Sequence, residues 1–452
     1  MRLSSSLWFR ASRVATFISS TALANAGAQQ LNTSAAAAGV GGNFIARARG
    51  YDAVAWNPAN LGLPGNPGFS ITILPVTASF TLDPITLADI KSVQDQKAPN
   101  VVSRATRQSW LDKVTAAGGE TGTPSGGMNV ALSAGPFALQ VGMTAFGAVK
   151  LNPDAVQAIL FGNVAPDGSV RTLNFQNSKY NGGAVTTTAL SYGHAFGERK
   201  EGNGIFAFGA TVKMITGNAV SMGQDAGSSI NANGGTIAFP SVGTRTSQDC
   251  RDDTGQIKAG CAVMNDAGFF SNGSGFGADI GVSWLRDKLG LSAAIQNVFN
   301  TFSWDQSTLA YRPGSGQFDV SGDTTNFDEQ AFANAPVSLK NAIANYKFKP
   351  TISAGLAYEL RRDVTLSADV RQQMASDDAV IIGPKTSLGA GVEYRGIPTI
   401  SLRGGAGYIT GGSVFSFGAG LRFGHYELGG AVALQQGDNK GTSLFINLFS
   451  LR

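Results

Sequence analysis

Few side chains in this 452-residue chain are suited to bond-making chemistry, and their spacing argues against it. The two histidines, His194 and His425, stand far apart in sequence. By strand register His194 shares an apolar face with Leu190, Tyr192 and Phe196 near a strand end, and His425 falls in a turn beside Tyr426. Both suit a membrane interface better than proton transfer. There is no nucleophile elbow, no His-Glu-x-x-His and no phosphate loop, so no enzymatic activity and no cofactor are expected. Asp249, Asp252, Asp253 and Gly255 resemble a calcium loop in composition but lack its one-three-five ligand spacing, and a solvated loop is the simpler reading. Cys250 and Cys261 lie in the same polar stretch with no histidine beside them, so no metal site is expected. In an oxidising compartment they are expected to form a disulfide, with two free thiols as the alternative.

The charges with the most pattern are Lys213, Asp279, Glu359, Asp369, Arg371, Glu393, Arg395, Arg403, Arg422 and Glu427. Each occupies the less apolar face of a segment with period two. Arg371, Arg403, Arg422, Glu359 and Glu393 are the candidates for holding a ligand headgroup, through charge-assisted hydrogen bonds to guanidinium in the case of a carboxylate. A cross-strand ladder that stiffens a wall is the simpler alternative.

The elements that position them are strands. Between Pro350 and Arg452 one alternation repeats. Ile352, Ala354, Leu356, Tyr358 and Leu360 oppose Thr351, Ser353, Gly355, Ala357 and Glu359. Phe415, Phe417, Ala419, Leu421 and Phe423 oppose Ser416, Gly418, Gly420 and Arg422. Period two means strands with unlike faces. Each is about nine to eleven residues long, enough for a tilted strand to cross a bilayer. The non-apolar face is mostly Gly, Ser and Ala, which suits a barrel interior whose outside meets lipid. An Arg on the lipid face would cost about 2–4 kcal/mol at mid-membrane, so the consistent inward register of the charges supports the assignment.

Bulk composition agrees. Only 14% of residues are charged and 59 are glycine, which disfavours a disordered chain or a helical enzyme. Arg2, Arg10 and Arg13 precede the first acidic residue; without them, basic and acidic side chains almost balance. No basic stripe with interleaved aromatics is present, so no nucleic-acid partner is expected. Arg10 and Arg13, then Val14–Leu23, then Ala24-Asn25-Ala26 or Ala26-Gly27-Ala28, read as a secretory signal over residues 1–28. No later segment has about 18 continuous apolar residues. Export without such a helix, together with alternating strands, points to a Gram-negative-type outer membrane.

In chain order, residues 29–66 lack strand period. Phe69–Leu82 is a first strand interrupted by Pro75, which predicts an edge or a bulge. Leu87, Ile90 and Val93, then Trp110, Leu111 and Val114, predict two short helices that gate the barrel mouth or merely cover it. Residues 67–452 form the barrel, with long loops at 81–126, 150–183, 216–274 and 299–349 and a short helix within Glu329–Tyr346. The strands number about fourteen. Tight and long connections alternate, as short periplasmic turns and long outer loops require.

One stretch carries a resemblance. Gly42-Asn43-Phe44-Ile45-Ala46-Arg47-Ala48, then Asp52-Ala53-Val54-Ala55-Trp56-Asn57-Pro58-Ala59-Asn60-Leu61, resembles the N-terminal signature of the FadL-type long-chain fatty acid transporter superfamily, which includes PorV-like and TraF-like barrels. The rest of the chain resembles it in pattern only. The resemblance implies a barrel of fourteen strands and a hatch formed by residues 29–66, in which Phe44, Asp52, Trp56, Asn57, Pro58 and Ala59 match the motif. It implies passive uptake of hydrophobic or amphipathic, fatty-acid-like molecules, with the lipid bilayer and a hydrophobic ligand as partners. The PorV- and TraF-like members imply the alternative: a non-transporting barrel that docks an envelope protein partner, for which the large polar loops leave room. One departure stands out. Such barrels often end on an aromatic, whereas here Phe449 is followed by Ser450-Leu451-Arg452.

Overall fold

The computed structural model describes residues 34–94, 102–164, 168–197, 204–245, 272–319, 322–376, 379–437 and 440–451. The expected signal peptide and both cysteines, with the neighbouring Asp249, Asp252, Asp253 and Gly255, lie outside the described residues.

Among the described residues, fourteen strands form the wall: β1 Phe69–Asp83, β2 Glu120–Ala134, β3 Phe137–Leu151, β4 Lys179–Phe196, β5 Ile205–Gln224, β6 Gly273–Arg286 and β7 Leu289–Asn300. They continue as β8 Thr351–Arg361, β9 Val364–Gln373, β10 Thr386–Ile397, β11 Ile400–Ile409, β12 Gly412–Phe423, β13 Tyr426–Gly437 and β14 Lys440–Leu451. Each pairs antiparallel with the next. β14 pairs with β1, from Ile71 opposite Leu451 to Leu82 opposite Lys440, so the sheet closes. Closure leaves no unpaired edge, the condition for strands to span lipid.

The outside is apolar. On β12, Phe415, Phe417, Leu421 and Phe423 are 41%, 64%, 46% and 58% exposed, while Ser416 between them is fully buried. The same alternation recurs around the wall, with Leu190, Val212, Leu388 and Leu444 among the exposed residues. A ring of exposed large apolar side chains is stable against acyl chains and not against water. The barrel is therefore of the outer-membrane kind. No described helix is long and apolar enough to cross a membrane.

Three features depart from or refine the expectation. Pro75 sits at a bulge, not an edge: the register shifts between Ile73 and Val76, and Leu74 takes φ 51°. Both neighbours pair β1 throughout, so a residue without an N–H is tolerated only where the ladder is already broken. Ser450 and Leu451 continue β14, opposite Thr72 and Ile71, rather than forming a tail after Phe449. Finally, β4 and β5 run 18 and 20 residues, well beyond the predicted ends. Their extra turns face loop residues instead of lipid, so they carry no apolar–polar alternation to read. A bulge at Asn218 separates the two parts, where Ala184 opposes Ala219 but Val185 opposes Gly217.

The long loops fold on themselves. Helices Leu87–Gln94 and Arg104–Ala117 occupy the first, as predicted, the second capped by Ser103 and closed by Gly118 in the left-handed region. Pro153–Phe161 and Val337–Asn345 are helices in the second and fourth. Five short strands from three loops, 173–174, 229–231, 234–238, 315–319 and 322–326, make a separate small sheet. It is built of Gly, Ser, Thr and Asn, which give no periodic signal.

Candidate functional site

Residues 34–64 lie inside the barrel, with residues 57–59 toward the β4–β5 and β6–β7 connections and residues 35–45 reaching Ile409 and Val414 toward the other end. The segment begins with helix α1 (Ala35–Gly39), whose N-cap Ser34 accepts from Ala37 N, and includes the single helical turn α2 (Ala53–Trp56). Its interior is apolar: Ala36, Ala37, Val40, Phe44, Ile45 and Trp56 are buried, and Phe44 meets Trp56 edge-on at 5.8 Å. Such a short, Ala- and Gly-rich piece has little propensity of its own to hold a shape. The wall holds it.

Two glycine-lined seats receive it. On one side Gly193, Gly209 and Gly281 are directly opposite one another across β4, β5 and β6. Asn57, Pro58 and Ala59 lie on this rung so closely that a Cβ on any of the three would overlap their atoms. On the other side Gly391 and Gly405, paired across β10 and β11, meet the Val40 backbone, and a Cβ on Gly418 of β12 would lie 2.8 Å from Gly39 Cα. Glycine is needed here because backbone meets backbone.

Polar contacts fix the register. Asn57 Nδ2 donates to Val282 O at 3.1 Å and Ser283 Oγ at 3.0 Å, and its Oδ1 accepts from Ala59 N at 3.0 Å. Asn60 Nδ2 donates to Ile45 O at 2.8 Å, and its Oδ1 accepts from Ser283 Oγ at 2.6 Å. Asp369 Oδ2 accepts from Phe44 N and, at 2.9 Å, from Ile45 N. Tyr51 N donates to Ser70 Oγ at 2.9 Å.

A chain of charges completes the attachment. Arg47 of the segment pairs with Glu393 of β10. Glu393 also accepts from Arg403 Nε at 2.6 Å and pairs with Arg395 at 2.9 Å. Arg403 reaches Glu427 at 2.6 Å with its other arm. Glu393 and Arg403 are 2% and 5% exposed. A carboxylate this deep is tolerable only because three guanidiniums surround it.

The sequence-derived candidates thus separate. Phe44, Asp52, Trp56, Asn57, Pro58 and Ala59 are all buried in the segment. Glu393 and Arg403 meet in the charge chain. Arg422 Nη2 donates to Ile397 O at 3.0 Å near a short turn, and Glu359 is exposed at that end. Lys213 and Asp279 form a wall ion pair at 2.6 Å, the expected cross-strand ladder. Arg371 joins none of these pairs. The sequence reading missed Arg47 and Asp369 as site residues. Asp369 was visible as an inward charge, and Arg47 belongs to the motif itself, but their partners lie more than 320 residues away. His194 points outward, on the face expected of it, its ring 4.8 Å from Phe196.

At the long-loop end an apolar cluster that includes Phe146, Ile215, Phe302, Trp304, Tyr346 and Val380 is buried. Trp304 Nε1 donates to Tyr346 O at 2.9 Å, and burial pushes the Tyr346 phenol above its ordinary value. A substitution on the first rung tests the seat. Gly209→Val is expected to unseat Asn57–Ala59 while the barrel still closes. Brief protease treatment of the folded protein then cuts the N-terminal segment at least about tenfold faster, the consequence of about 1–3 kcal/mol of overpacking. Wild-type resistance would show that the rung carries no contact.

No curated protein matches the chain. Among solved structures, it is similar to the toluene transporter TodX of Pseudomonas putida, with 13% identity over 94% of this chain and 99% of that one at a TM-score of 0.48. A FadL homologue of Pseudomonas aeruginosa gives 13%, 94%, 99% and 0.44, and the CymD monoaromatic hydrocarbon channel 10%, 94%, 98% and 0.42. The model of one family matches residues 64–428, most of the wall, and on that match the chain belongs to the family described as "Family of unknown function (DUF5723)".

Proposed function

We propose that the protein is an outer-membrane channel through which hydrophobic or amphipathic small molecules, fatty-acid-like in shape, pass without energy input, and that residues 34–64 are its hatch. One observation carries this reading. What supports it is an interior occupied by a docked, largely apolar segment, residues 34–64, with a buried apolar cluster that includes Phe146, Ile215, Phe302 and Trp304 at the long-loop end. A porin for hydrophilic solutes needs the reverse, a polar and open interior. An apolar interior at that end favours solutes that gain by leaving water.

The test is uptake by cells whose outer membrane carries the protein. A fluorescent alkyl probe is expected to enter several-fold faster than in cells lacking the chain, while a hydrophilic solute of similar mass enters at the same rate in both. Faster entry of the hydrophilic solute alone would make the barrel a porin and end this reading.

A further inference from the structure

One group of buried polar atoms in the lumen differs from the rest. Around the hatch, Arg47 Nη1 and Arg403 Nη1 lack partners, but both side chains are held through their other nitrogens. Trp56 Nε1, Ser353 Oγ, Asp369 Oδ1 and Arg371 Nε are buried and have no partner. The four residues border a single cavity of about 30 Å³ between the hatch and strands β8 and β9. Ser353 and Arg371 are directly opposite in register, and Asp369 lies two residues along the same face of β9. Trp56 and Ser353 are 4% and 6% exposed. Buried polar atoms in native proteins are almost always satisfied, so four orphans in one place mark a site and not an accident of packing.

Their chemistry is specific. Trp56, Arg371 and Ser353 offer three donors. Asp369 Oδ1 offers an acceptor, its other oxygen being taken by the Phe44 and Ile45 amides. The complement is a head that accepts and donates side by side. A bare carboxylate accepts from the donors but sets a second negative charge against Asp369. An ester accepts and leaves Asp369 unpaired. A primary amide does both: its carbonyl takes the donors and its N–H reaches Asp369. At about 30 Å³ the cavity has room for about two water-sized groups, each needing about 10–15 Å³, the scale of the oxygen and nitrogen of such a head. Above it on β9, Gln373 Nε2 donates to Val380 O, at the apolar cluster of the long-loop end.

We propose that Trp56, Ser353, Asp369 and Arg371 form a head-group site that selects amphiphiles whose polar end both donates and accepts hydrogen bonds, of the amide class. This rests on reading the barrel as a path for apolar-tailed molecules. The site lies between the hatch and the wall.

Binding of decanamide, decanoate and methyl decanoate to the full folded chain in detergent, by titration calorimetry, tests it. The tails are equal and only the heads differ. Decanamide is expected to bind about tenfold tighter than either of the others, the usual effect of leaving one buried polar group unpaired. Arg371→Met and Ser353→Ala are each expected to erase most of that advantage. Ser353→Ala removes only a hydroxyl and carries the test if Arg371→Met does not fold. Decanoate binding tightest would overturn the proposal in favour of a simple anion site. Equal affinities for all three would overturn the head-group site and leave the channel reading standing. Failure of all three to bind would remove both.

Discussion

Deleting Ala35–Ala59 is expected to raise single-channel conductance in planar bilayers by about tenfold or more. The deletion removes α1, the Asp369-bound turn, α2 and the Asn57-Pro58-Ala59 anchor together. No strand is lost, so the wall still closes. What remains inside is two glycine-lined seats with nothing in them, which makes the vacated lumen wide at the level where it was narrowest. Eight-stranded barrels are filled by their own side chains, and 16–18-stranded ones hold an aqueous channel. A fourteen-stranded barrel with a glycine-lined interior belongs near the second kind. Unchanged conductance would mean that the segment is not the barrier and would remove the hatch from the proposed function.

The second large effect is expected at Glu393. Glu393→Gln keeps the shape but leaves Arg47, Arg395 and Arg403 around a neutral amide, with Glu427 the only carboxylate still paired within the chain of charges. Taking one partner from a buried ion pair costs about 3–5 kcal/mol, because the other charge stays buried and uncompensated. The urea midpoint, followed by heat-modifiable gel mobility, should fall accordingly. Arg47→Met provides the contrast. It frees the hatch from the wall but leaves Arg403 bridging Glu393 and Glu427. Its expected signature is a flickering conductance with a much smaller loss of stability. If both variants unfold at the wild-type midpoint and remain closed, the charges are a wall ladder only and do not hold the hatch.

These predictions depend on information of two kinds. Strand parity was legible in the sequence. Phe415, Phe417, Leu421 and Phe423 face lipid because a strand alternates its side chains, a local rule that needs no partner. The inward set of charges followed from the same rule, and the number of strands from counting the segments that obey it. The alternation of short and long connections does not run to the end of the chain, since β11 and β12, and β13 and β14, are two residues apart at the long-loop end. The helices around Leu87–Val93 and Trp110–Val114 were legible by another local rule, apolar residues recurring at helical spacing. Where local pattern stopped, reading stopped. The upper halves of β4 and β5 face loop residues and lost their alternation, and the small loop sheet never had any.

What the sequence by itself determined is which side of each strand meets lipid, and hence that the chain closes into a membrane-spanning barrel with its charges inside. Only the tertiary structure decided which of those charges meet. Arg47 reaches Glu393, Asp369 takes two hatch amides, and Arg371 is left to a cavity, because barrel closure brings together residues hundreds of positions apart. The glycines show the same division. In sequence they were merely small inward positions; the fold made Gly193, Gly209 and Gly281 one rung, since register is set between strands and not along them.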